Sequence, residues 1–415
     1  MAFPNTIAAG TNRIAQPVQV GPFKIGSAFY VVVTDSSNAV VRIFKSTDSG
    51  VTWSEKDSAS EPAIGTVAFT SAVQNGTKIY VASVSAGLFW QVSVFDSGTD
   101  TWTSTTVSTN AASANYNAGC MAYRASDGSL IITDQVQPNP GVTSSVAYFL
   151  FDTVALTFGS YILIGNTSTI STNDNTNPFA VLNGSGYTHF ILVYHDAIAG
   201  TFTLQQQSLS DGGSLGSLQS IATVPNIFMF AISSASDGTN LLVLIWDYTL
   251  GTPTITAYEA VSAGSPTWMN QTLTPSVTNI DAIGAAVSGG IFYLLLVSDD
   301  GAGNYTYALT SDSGGGFNPS YTTIGTDTDF DQYVSVLMVS GVPAFAFNGS
   351  ATVYFGYVLT TPIPATAPIA AGAGALPLPA GIGTTCKYGR VLRCRSNPKR
   401  AMLVGNVVTF GGARS

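Results

Sequence analysis

A short apolar strand recurs seven times along the chain at an almost constant spacing. Measured between the central residues of successive copies, the spacings are 50, 51, 60, 51, 51 and 52 residues. The central residues are Tyr30, Tyr80, Ile131, Ile191, Leu242, Tyr293 and Phe345. A repeat of this length predicts a supersecondary unit that buries its apolar surface only against its neighbours. The single interval of 60 residues predicts one unit with a longer loop.

Each recurring strand follows a turn that contains glycine, such as Asn75-Gly76 or Asp127-Gly128. These dipeptides are typical of tight hairpin turns, because glycine adopts a positive φ without strain. In the fourth unit, strand-like segments occupy residues 179–182, 189–194, 202–207 and 217–222. The pattern therefore predicts four antiparallel strands in each unit.

Four-stranded units repeated about every 50 residues are the blades of a β-propeller. No segment has sustained helical periodicity, which argues against crossover helices and a parallel sheet. We expect an all-β ring of seven blades within residues 1–360, with six blades as the alternative. The seventh unit supplies only three strands. We expect its fourth strand from residues 4–14, because an unclosed ring would keep open sheet edges.

A turn motif favours the same architecture. In the run S-T-D-S-G-V-T-W, the side chains of Ser46 and Asp48 can accept free backbone N–H groups of a turn. Gly50 allows a positive φ, and Trp53 can return to the core. A second copy consists of Thr310, Asp312, Gly314 and Phe317. The pattern S-x-D-x-G-x-x-W resembles the Asp-box (BNR repeat) of sialidases and other propellers, which implies a turn on the face away from the substrate.

The resemblance does not extend to the catalytic residues of sialidases. Those enzymes need an arginine cluster for the substrate carboxylate, a Tyr/Glu nucleophile pair and an aspartic acid. Residues 1–385 contain only three arginines, Arg13, Arg42 and Arg124. No Lys or Arg lies between Arg124 and Lys387, so four blades lack a cationic side chain. We therefore expect no catalytic residues of the sialidase type.

Amides and acids recur where inner strands are expected to begin. These candidate ligand-binding residues are Asn117, Asn177, Asn226, Asp281, Asp331 and Gln332. Together with nearby aromatic residues, such a ring suits the hydroxyls of neutral sugars. The alternative is that these asparagines only stabilise turns, by hydrogen bonds from their side chains to the backbone. Asp281 and Asp331 are also the candidates for the carboxylate pair of a glycosidase.

Three aspartates alternate in the segment G-T-D-T-D-F-D-Q-Y, namely Asp327, Asp329 and Asp331. In an extended strand alternate side chains share one side, where carboxylates could hold Ca²⁺. The segment lacks the glycine and distal glutamate of an EF-hand loop. We therefore expect no metal and no other cofactor.

The composition changes after residue 360. Residues 361–385 are rich in Pro, Ala and Gly and predict an extended linker rather than a membrane span. Residues 386–415 predict a basic arm with a β-hairpin between 390–395 and 402–410, too small to be stable alone. We expect this arm to dock on the body, a neighbouring subunit or a larger assembly. Its docking residues would be Arg390, Arg393, Arg395, Lys399 and Arg400.

The charge distribution supports this division of the chain. All 23 acidic residues lie at or before Asp331, whereas seven of the 14 basic residues lie at or after Lys387. An acidic body disfavours nucleic acid as a partner, and a basic arm could bind an acidic surface. The three cysteines do not form the disulfide framework of a secreted protein, and pairing of Cys386 with Cys394 stays open.

Two classes of function remain. Only 9% of the residues are charged, Ser, Thr and Gly are abundant, and the first residues do not have the pattern of a signal peptide. With the basic arm, these features favour a non-enzymatic structural or adhesion protein on a virion, phage or cell surface, with glycans as candidate ligands. The alternative is a sialidase-like glycoside hydrolase, which only the turn motif favours.

Overall fold

The computed structural model describes most of the predicted propeller and four short strands beyond it. Described are residues 3–10, 12–13, 21–35, 37–65, 70–84, 89–111, 120–136, 145–165, 175–196, 199–224, 232–247, 253–312, 315–350, 352–357, 375–376, 386–387, 401–404 and 407–410. These residues form strands and turns, as the all-β prediction requires. Among them, no helix is long and apolar enough to cross a membrane.

The first three blades follow the predicted repeat. Blade 1 contains β2 (Asn12–Arg13), β3 (Phe23–Ile25), β4 (Ala28–Asp35), β5 (Val40–Ser46) and β6 (Ser54–Lys56). Blade 2 contains β7 (Thr70–Asn75), β8 (Lys78–Val84), β9 (Phe89–Asp96) and β10 (Thr101–Ala111). Blade 3 contains β11 (Met121–Arg124), β12 (Ser129–Val136), β13 (Ser145–Asp152), β14 (Thr157–Phe158) and β15 (Ile162–Ile164). The long interval of the repeat falls in blade 3, where β14 and β15 both pair with β13.

The remaining blades complete a ring of seven. Blade 4 contains β16 (Asn175–Gly184), β17 (Tyr187–Asp196), β18 (Thr201–Ser210) and β19 (Gln219–Val224). Blade 5 contains β20 (Ile232–Ser236), β21 (Asn240–Asp247), β22 (Thr254–Val261) and β23 (Met269–Leu273). Blade 6 contains β24 (Asn279–Ser288), β25 (Ile291–Asp299), β26 (Tyr305–Asp312) and β27 (Thr322–Asp327). Blade 7 contains β28 (Gln332–Val339), β29 (Val342–Asn348) and β30 (Thr352–Tyr357), so the six-bladed alternative is wrong.

The N-terminal strand closes the ring, as predicted. β1 (Asn5–Ala9) pairs antiparallel with β30 and becomes the fourth strand of blade 7. The next described strand, β2, pairs with β4 in blade 1. The chain therefore begins in the last blade and continues into the first, which joins the two ends of the ring.

The recurring apolar strands are the second strands of the blades, and they are buried on both faces. Every residue of β4 is buried, because one face of the sheet packs on blade 7 and the other on blade 2. The sequence of a strand that is covered on both faces is a continuous run of apolar residues, whereas a strand covered on one face alternates between apolar and polar residues. Aromatic contacts join blades 7 and 1, with Phe29 and Phe355 at a centroid distance of 5.2 Å.

Beyond the propeller, the backbone forms two short antiparallel pairs. β31 (Ala375–Leu376) pairs with β32 (Cys386–Lys387), and β33 (Ala401–Val404) pairs with β34 (Val407–Phe410). The predicted arm does contain a hairpin, but residues 402–410 are not one strand. β33 and β34 pair with each other inside this segment, and the sequence Gly405-Asn406 between them is typical of hairpin turns. The predicted partner segment 390–395 and all five docking residues lie outside the described part, as does most of 361–385.

We predict that a charge inside the closing strand opens the ring. Ile7 is buried against the first and last blades, whereas its neighbour Thr6 is exposed. Ile7→Asp should lower the free energy of unfolding by about 3 kcal/mol or more, because an unpaired carboxylate is buried at the seam. Thermal and urea unfolding followed by circular dichroism measure the change.

Thr6→Asp is the matched control for this prediction, and it should stay close to the wild type. Equal effects of the two substitutions would contradict a closing role for β1.

Candidate functional site

The strand directions define two faces of the ring. The inner strands begin at the upper face, where Asn279, Asp299 and Tyr305 stand side by side at strand ends in blade 6. The turns between third and fourth strands, such as residues 47–53, lie at the opposite, lower face. β30 starts beside Asn348 at the upper face and ends with Tyr357 at the lower face. The last strand of the propeller therefore ends at the lower face.

Carboxylates gather around one tyrosine on the upper face of blades 6 and 7. We call Asp281, Asp299, Tyr305, Asp329 and Asp331 the upper acidic cluster. Burial and then the charges of the four aspartates raise the pKa of Tyr305. The Tyr305 ring packs against Phe330 at a centroid distance of 5.5 Å. The cluster thus combines an aromatic ring with several hydrogen-bond acceptors.

Asp281 is the predicted candidate whose environment is most unusual. It lies on inner strand β24, and burial followed by repulsion from Asp299 raises its pKa to about 6. Its Oδ2 atom is buried without a hydrogen-bond partner in the structure. Asp299 accepts a hydrogen bond from Asn279 Nδ2 at 3.2 Å and another from the Gly301 N–H. The pair therefore offers a carboxyl that is easily protonated beside a hydrogen-bonded carboxylate.

The three alternating aspartates do not converge on a common point. Asp329 accepts hydrogen bonds from the Tyr354 hydroxyl at 2.9 Å and from the Ser350 N–H at 2.8 Å. Burial raises the pKa of Asp327, and Asp331 is exposed with its N–H donated to the Asn348 carbonyl. Within the described part of the chain, no three His, Cys, Asp or Glu side chains are arranged to hold a metal ion. The described residues therefore do not support the calcium site considered for Asp327, Asp329 and Asp331, and the expectation of no metal stays a prediction.

The predicted ring of amides is only partly described. Asn117 and Asn226 lie outside the described residues. Asn177 lies on β16 opposite Val193, and Gln332 begins β28 opposite Asn348. Their backbones occupy the expected inner strands, while their side chains are outside the description. The amide ring therefore stays a prediction.

Both arginines with described side chains are engaged inside the protein. Arg42 forms ion pairs with Asp35 at 2.9 Å and with Glu55 and Glu61 at 3.3 Å each. Burial, together with a hydrogen bond to Glu55, raises the pKa of Glu61 to about 7 even though Arg42 is adjacent.

Arg124 is buried at the lower face, far from the upper acidic cluster. Its Nη2 atom lies 3.2 Å from Asp127 and donates to the Asp211 carbonyl at 2.7 Å. The arginine cluster of a sialidase is therefore not formed by these two residues.

The turn at residues 46–53 has the hydrogen bonds that its sequence predicted. Ser46 Oγ donates to Asp48 at 2.8 Å and accepts the Gly50 N–H at 2.8 Å. Asp48 also accepts the Thr52 hydroxyl at 2.6 Å and the Thr52 N–H, and these bonds lower its pKa to about 2. Gly50 has φ 84°, and a Cβ at this position would overlap the Phe355 ring.

The aromatic residue of the turn at 46–53 joins two blades. Trp53 Nε1 donates to the Gly50 carbonyl at 3.1 Å, and its ring lies 4.9 Å from Phe355 of blade 7. The turn therefore fastens blade 1 to the preceding blade.

The turn at residues 310–317 makes a related contact in blade 6. Asp312 accepts the N–H groups of Gly315 and Gly316, each at 3.0 Å, at the positions equivalent to 51 and 52. Phe317 is buried, and its N–H donates to Gln271 of blade 5 at 2.6 Å. Thr310 differs from Ser46, because its hydroxyl donates to the Asn318 carbonyl. Gly314 lies outside the described residues.

A carboxyl pair reinforces the seam between blades 5 and 6 near this second turn. Glu259 lies on β22, and burial followed by a hydrogen bond with Asp312 raises its pKa to about 8. A protonated Glu259 donates this hydrogen bond, since two carboxylates cannot share one without a proton. The pair lies at the lower face and stabilises the seam.

Comparisons with known proteins show the fold alone. No protein-family model matches the chain, and no curated protein matches it significantly in sequence. The polysaccharide lyase Uly1 is similar with a TM-score of 0.54 and 9% identity, over 85% of this chain and 92% of the lyase. The β-propeller domain of the Trilobed protease from Pyrococcus furiosus is similar with a TM-score of 0.50 and 12% identity, over 85% of this chain and 99% of that domain.

Two further points follow from these comparisons. The Pyrococcus domain is described as having an open velcro topology, whereas β1 closes the ring here. A lectin of Aleuria aurantia is similar with a TM-score of only 0.43 and 13% identity, over 86% of this chain and 99% of the lectin. The chain is a seven-bladed β-propeller whose function must be argued from its own residues.

We predict that Glu259 makes stability depend on pH. Its folded pKa of about 8 lies above the ordinary value of 4.5, so the unfolded chain releases this proton first as pH rises. Stability should therefore fall between pH 4.5 and 8, by up to about 1.4 kcal/mol per pH unit, and level off above this range. Glu259→Gln should reduce this slope in urea unfolding, most clearly between pH 7 and 8, because Glu61 and Asp281 also have raised pKa values and contribute at lower pH.

Asp211→Asn provides the control for this prediction, because it removes the same charge from an exposed turn. This control should keep the wild-type slope. An unchanged slope in Glu259→Gln would contradict the assignment of the proton to Glu259.

Proposed function

We propose that this chain is a non-enzymatic recognition protein, displayed on a larger assembly by its C-terminal arm and binding neutral glycans at its upper face. One observation carries the proposal: β30, the last strand of the propeller, ends with Tyr357 at the lower face, opposite the upper acidic cluster. An arm anchored below leaves the upper face turned outward. This orientation suits a protein on the surface of a virion, phage or cell.

The upper acidic cluster has the chemistry to recognise sugar hydroxyls. Its carboxylates accept hydrogen bonds, and the ring of Tyr305 offers an apolar surface to the C–H groups of a sugar. No Lys or Arg lies between Arg124 and Lys387, so an anionic sugar would meet only like charges in these blades. A neutral glycan is the ligand that this electrostatic environment favours.

The arm has the opposite charge. It carries seven basic residues and no acidic one, which suits an acidic surface on another structural subunit. We also infer that the turns at 46–53 and 310–317 are Asp-boxes, since Asp48 and Asp312 accept the equivalent backbone N–H groups. In this role they stabilise the seams between blades and leave the upper face free.

A glycoside hydrolase is the second candidate, and one observation favours it. Asp281 has a pKa raised to about 6 beside Asp299, and a carboxyl with a raised pKa near a carboxylate is the usual acid and base of glycosidases. The engagement of Arg42 and Arg124 weakens a sialidase in particular. Glycan hydrolysis that Asp281→Asn abolishes would establish this candidate and contradict the non-enzymatic proposal.

We predict that the full-length chain binds neutral glycans on a glycan array. Tyr305→Ala should weaken this binding at least tenfold. The reason is that the substitution removes the aromatic surface at the centre of the cluster. Tyr161→Ala is the matched control, because Tyr161 is 47% exposed in blade 3. Absence of any neutral ligand, or equal loss in both variants, would contradict glycan binding at this face.

We predict that the arm is needed for assembly and not for folding of the propeller. Deletion of residues 361–415 should leave thermal unfolding unchanged, because β1 and β30 close the ring without the arm. The truncated chain, expressed in its native host, should sediment as the free protein. The full-length chain should sediment with its larger assembly.

Replacing the five basic docking residues by Gln is the milder variant of this experiment. It should reduce the assembled fraction, since the arm then loses most of its positive charge. An assembled truncated chain would contradict the docking role.

A further inference from the structure

A buried histidine holds the lower half of the seam between blades 4 and 5. His189 lies on β17, is fully buried, and has hydrogen-bond partners at both ring nitrogens. Nε2 lies 2.9 Å from Ser262 Oγ of blade 5, and Nδ1 lies 3.1 Å from Gln206 Nε2 of blade 4. Because the Gln206 amide nitrogen can only donate, Nδ1 accepts, and the single ring proton on Nε2 is donated to Ser262. The neutral imidazole therefore links the two blades.

A glycine and further polar contacts bring the adjoining turns of blade 5 onto blade 4 here. A Cβ atom on Gly184 would overlap Ser262 Oγ, so a glycine at this position leaves room for the hydroxyl beside the imidazole. Ser208 Oγ donates to the Ala263 carbonyl at 3.3 Å, and Gly184 forms a parallel bridge with Gly238 of blade 5. Polar contacts between side chains and turns therefore join the two blades at this height.

Neither blade offers a charge that would balance a proton on this ring. Burial lowers the pKa of His189 from its ordinary 6.5 to about 4, without a contribution from a neighbouring charge. Two described titratable side chains lie in the seam with it: Tyr187, at a centroid distance of 6.1 Å, and Tyr258 of the apolar cluster. Both phenols are neutral in acid, and burial raises the pKa of Tyr258. They cannot form an ion pair with an imidazolium.

The carboxylates on the adjoining segments of blades 4 and 5 are directed elsewhere. Glu259 of β22 shares its hydrogen bond with Asp312 on the opposite side of blade 5. Asp237 accepts two N–H groups of its own turn, and Asp211 is exposed. A protonated ring would therefore be a buried charge without an ionic partner, and its new Nδ1 proton would point at the donating amide of Gln206.

One hydroxyl could accept the added proton, but it is already engaged. Ser208 Oγ lies 3.1 Å from Nδ1 and accepts from Gln206 Nε2. Protonation therefore favours a state in which water surrounds the ring over the closed seam. We propose that acid opens the lower half of the seam between blades 4 and 5 by protonation of His189, which separates Ser262 and Ala263 from blade 4. This device goes beyond the proposed function, because it involves neither the arm nor the upper acidic cluster.

The direction of the pH dependence follows from the two states of the ring. A proton binds more tightly to the open form, in which the pKa of His189 has its ordinary value of 6.5, than to the closed form with a pKa of about 4. Opening should therefore increase as the pH falls from 6.5 to 4, and between pH 7 and 5 it should rise about 20-fold. Glu259 changes stability in the opposite direction over part of this range, so the measurement must report on this seam alone.

The experiment uses the full-length chain with Ala260→Cys as the reporter. Ala260 is 4% exposed and lies on the same side of β22 as Tyr258, which packs in this seam. A dithiodipyridine reagent labels thiols in acid as well as at neutral pH, and peptide mass spectrometry gives the rate at each cysteine. The rate at residue 260 is divided by the rate in a chain that also carries His189→Gln, which cancels the effect of pH on the reagent. This ratio should rise about 20-fold from pH 7 to pH 5.

Two controls show whether the response belongs to this histidine and this seam. His195→Gln makes the same substitution at the other histidine of the chain, which lies on the same strand and stacks on Phe202 at 4.3 Å. It should keep the acid response. Cys120 is buried in the seam between blades 3 and 4, and its labelling should show no such rise.

A second measurement needs no substitution. NMR titration of the carbon-bound imidazole protons in the unsubstituted chain should show His189 neutral down to pH 5 in the closed protein. Thermal unfolding at pH 7 checks that each variant is folded. Should His189→Gln not fold, the ratio of the rates at residue 260 and Cys120 within one chain replaces it, with the same expected rise.

Four outcomes overturn the inference. The rate ratio is unchanged between pH 7 and 5, or His195→Gln removes the response. Equal acceleration at Cys120 would show that acid opens the ring as a whole and not one seam. Titration of His189 near its ordinary pKa of 6.5 would show that the ring is not held neutral by the closed seam.

Discussion

The apolar sheets of this protein are covered on both faces only when every blade has a neighbour on each side. β4 shows the constraint most directly, since all eight of its residues are buried between blades 7 and 2. Hydrophobic burial of this kind is the dominant stabilising contribution to folding. Because a gap at any seam would expose two such faces at once, we expect closure of the ring by β1 to contribute to the stability of the neighbouring blades.

The polar groups with the most unusual environments lie at both faces of the ring. Those at the lower face hold neighbouring blades together, and those at the upper face do not. At the lower face, Asp48 and Asp312 organise turns whose aromatic residues pack on the preceding blade, and Glu259 shares a proton across the seam. The hydrogen-bond partners of these groups lie within the protein. At the upper face, Asp281 has a buried oxygen without a partner, and Tyr305 stands among four carboxylates. The upper acidic cluster is therefore the part of the described structure on which the proposed ligand face rests.

The sequence predicted the ring, because the feature that defines it is local. Each second strand is a continuous apolar run after a glycine turn, so its period could be counted without knowing any contact. The closing strand followed from a missing fourth strand in the last unit. The prediction of one strand over 402–410 was wrong, because β33 and β34 pair with each other within it, and the Gly405-Asn406 dipeptide, which is typical of hairpin turns, was the signal in the sequence.

The candidate sites were less predictable, since they depend on which strand ends meet. Asp281 could be selected because it starts an inner strand. Asp299 ends β25 and Tyr305 begins β26, both in blade 6. Only the register of the sheet brings these two residues beside Asp281. Asp329 belongs to the cluster only through the neighbouring blade 7, where Ser350 and Tyr354 donate hydrogen bonds to its carboxylate. No pattern in the sequence signals a contact between blades that far apart along the chain.

In the proposed function, charge distinguishes the ligand face of the propeller from its C-terminal arm. The body holds all 23 acidic residues, and the seven basic residues of the arm would be attracted to any acidic surface, including the upper face of their own propeller. β30, however, ends with Tyr357 at the lower face. In the proposed function the arm docks on another molecule from this side, and the acidic upper face stays available to a neutral ligand that does not compete with the arm.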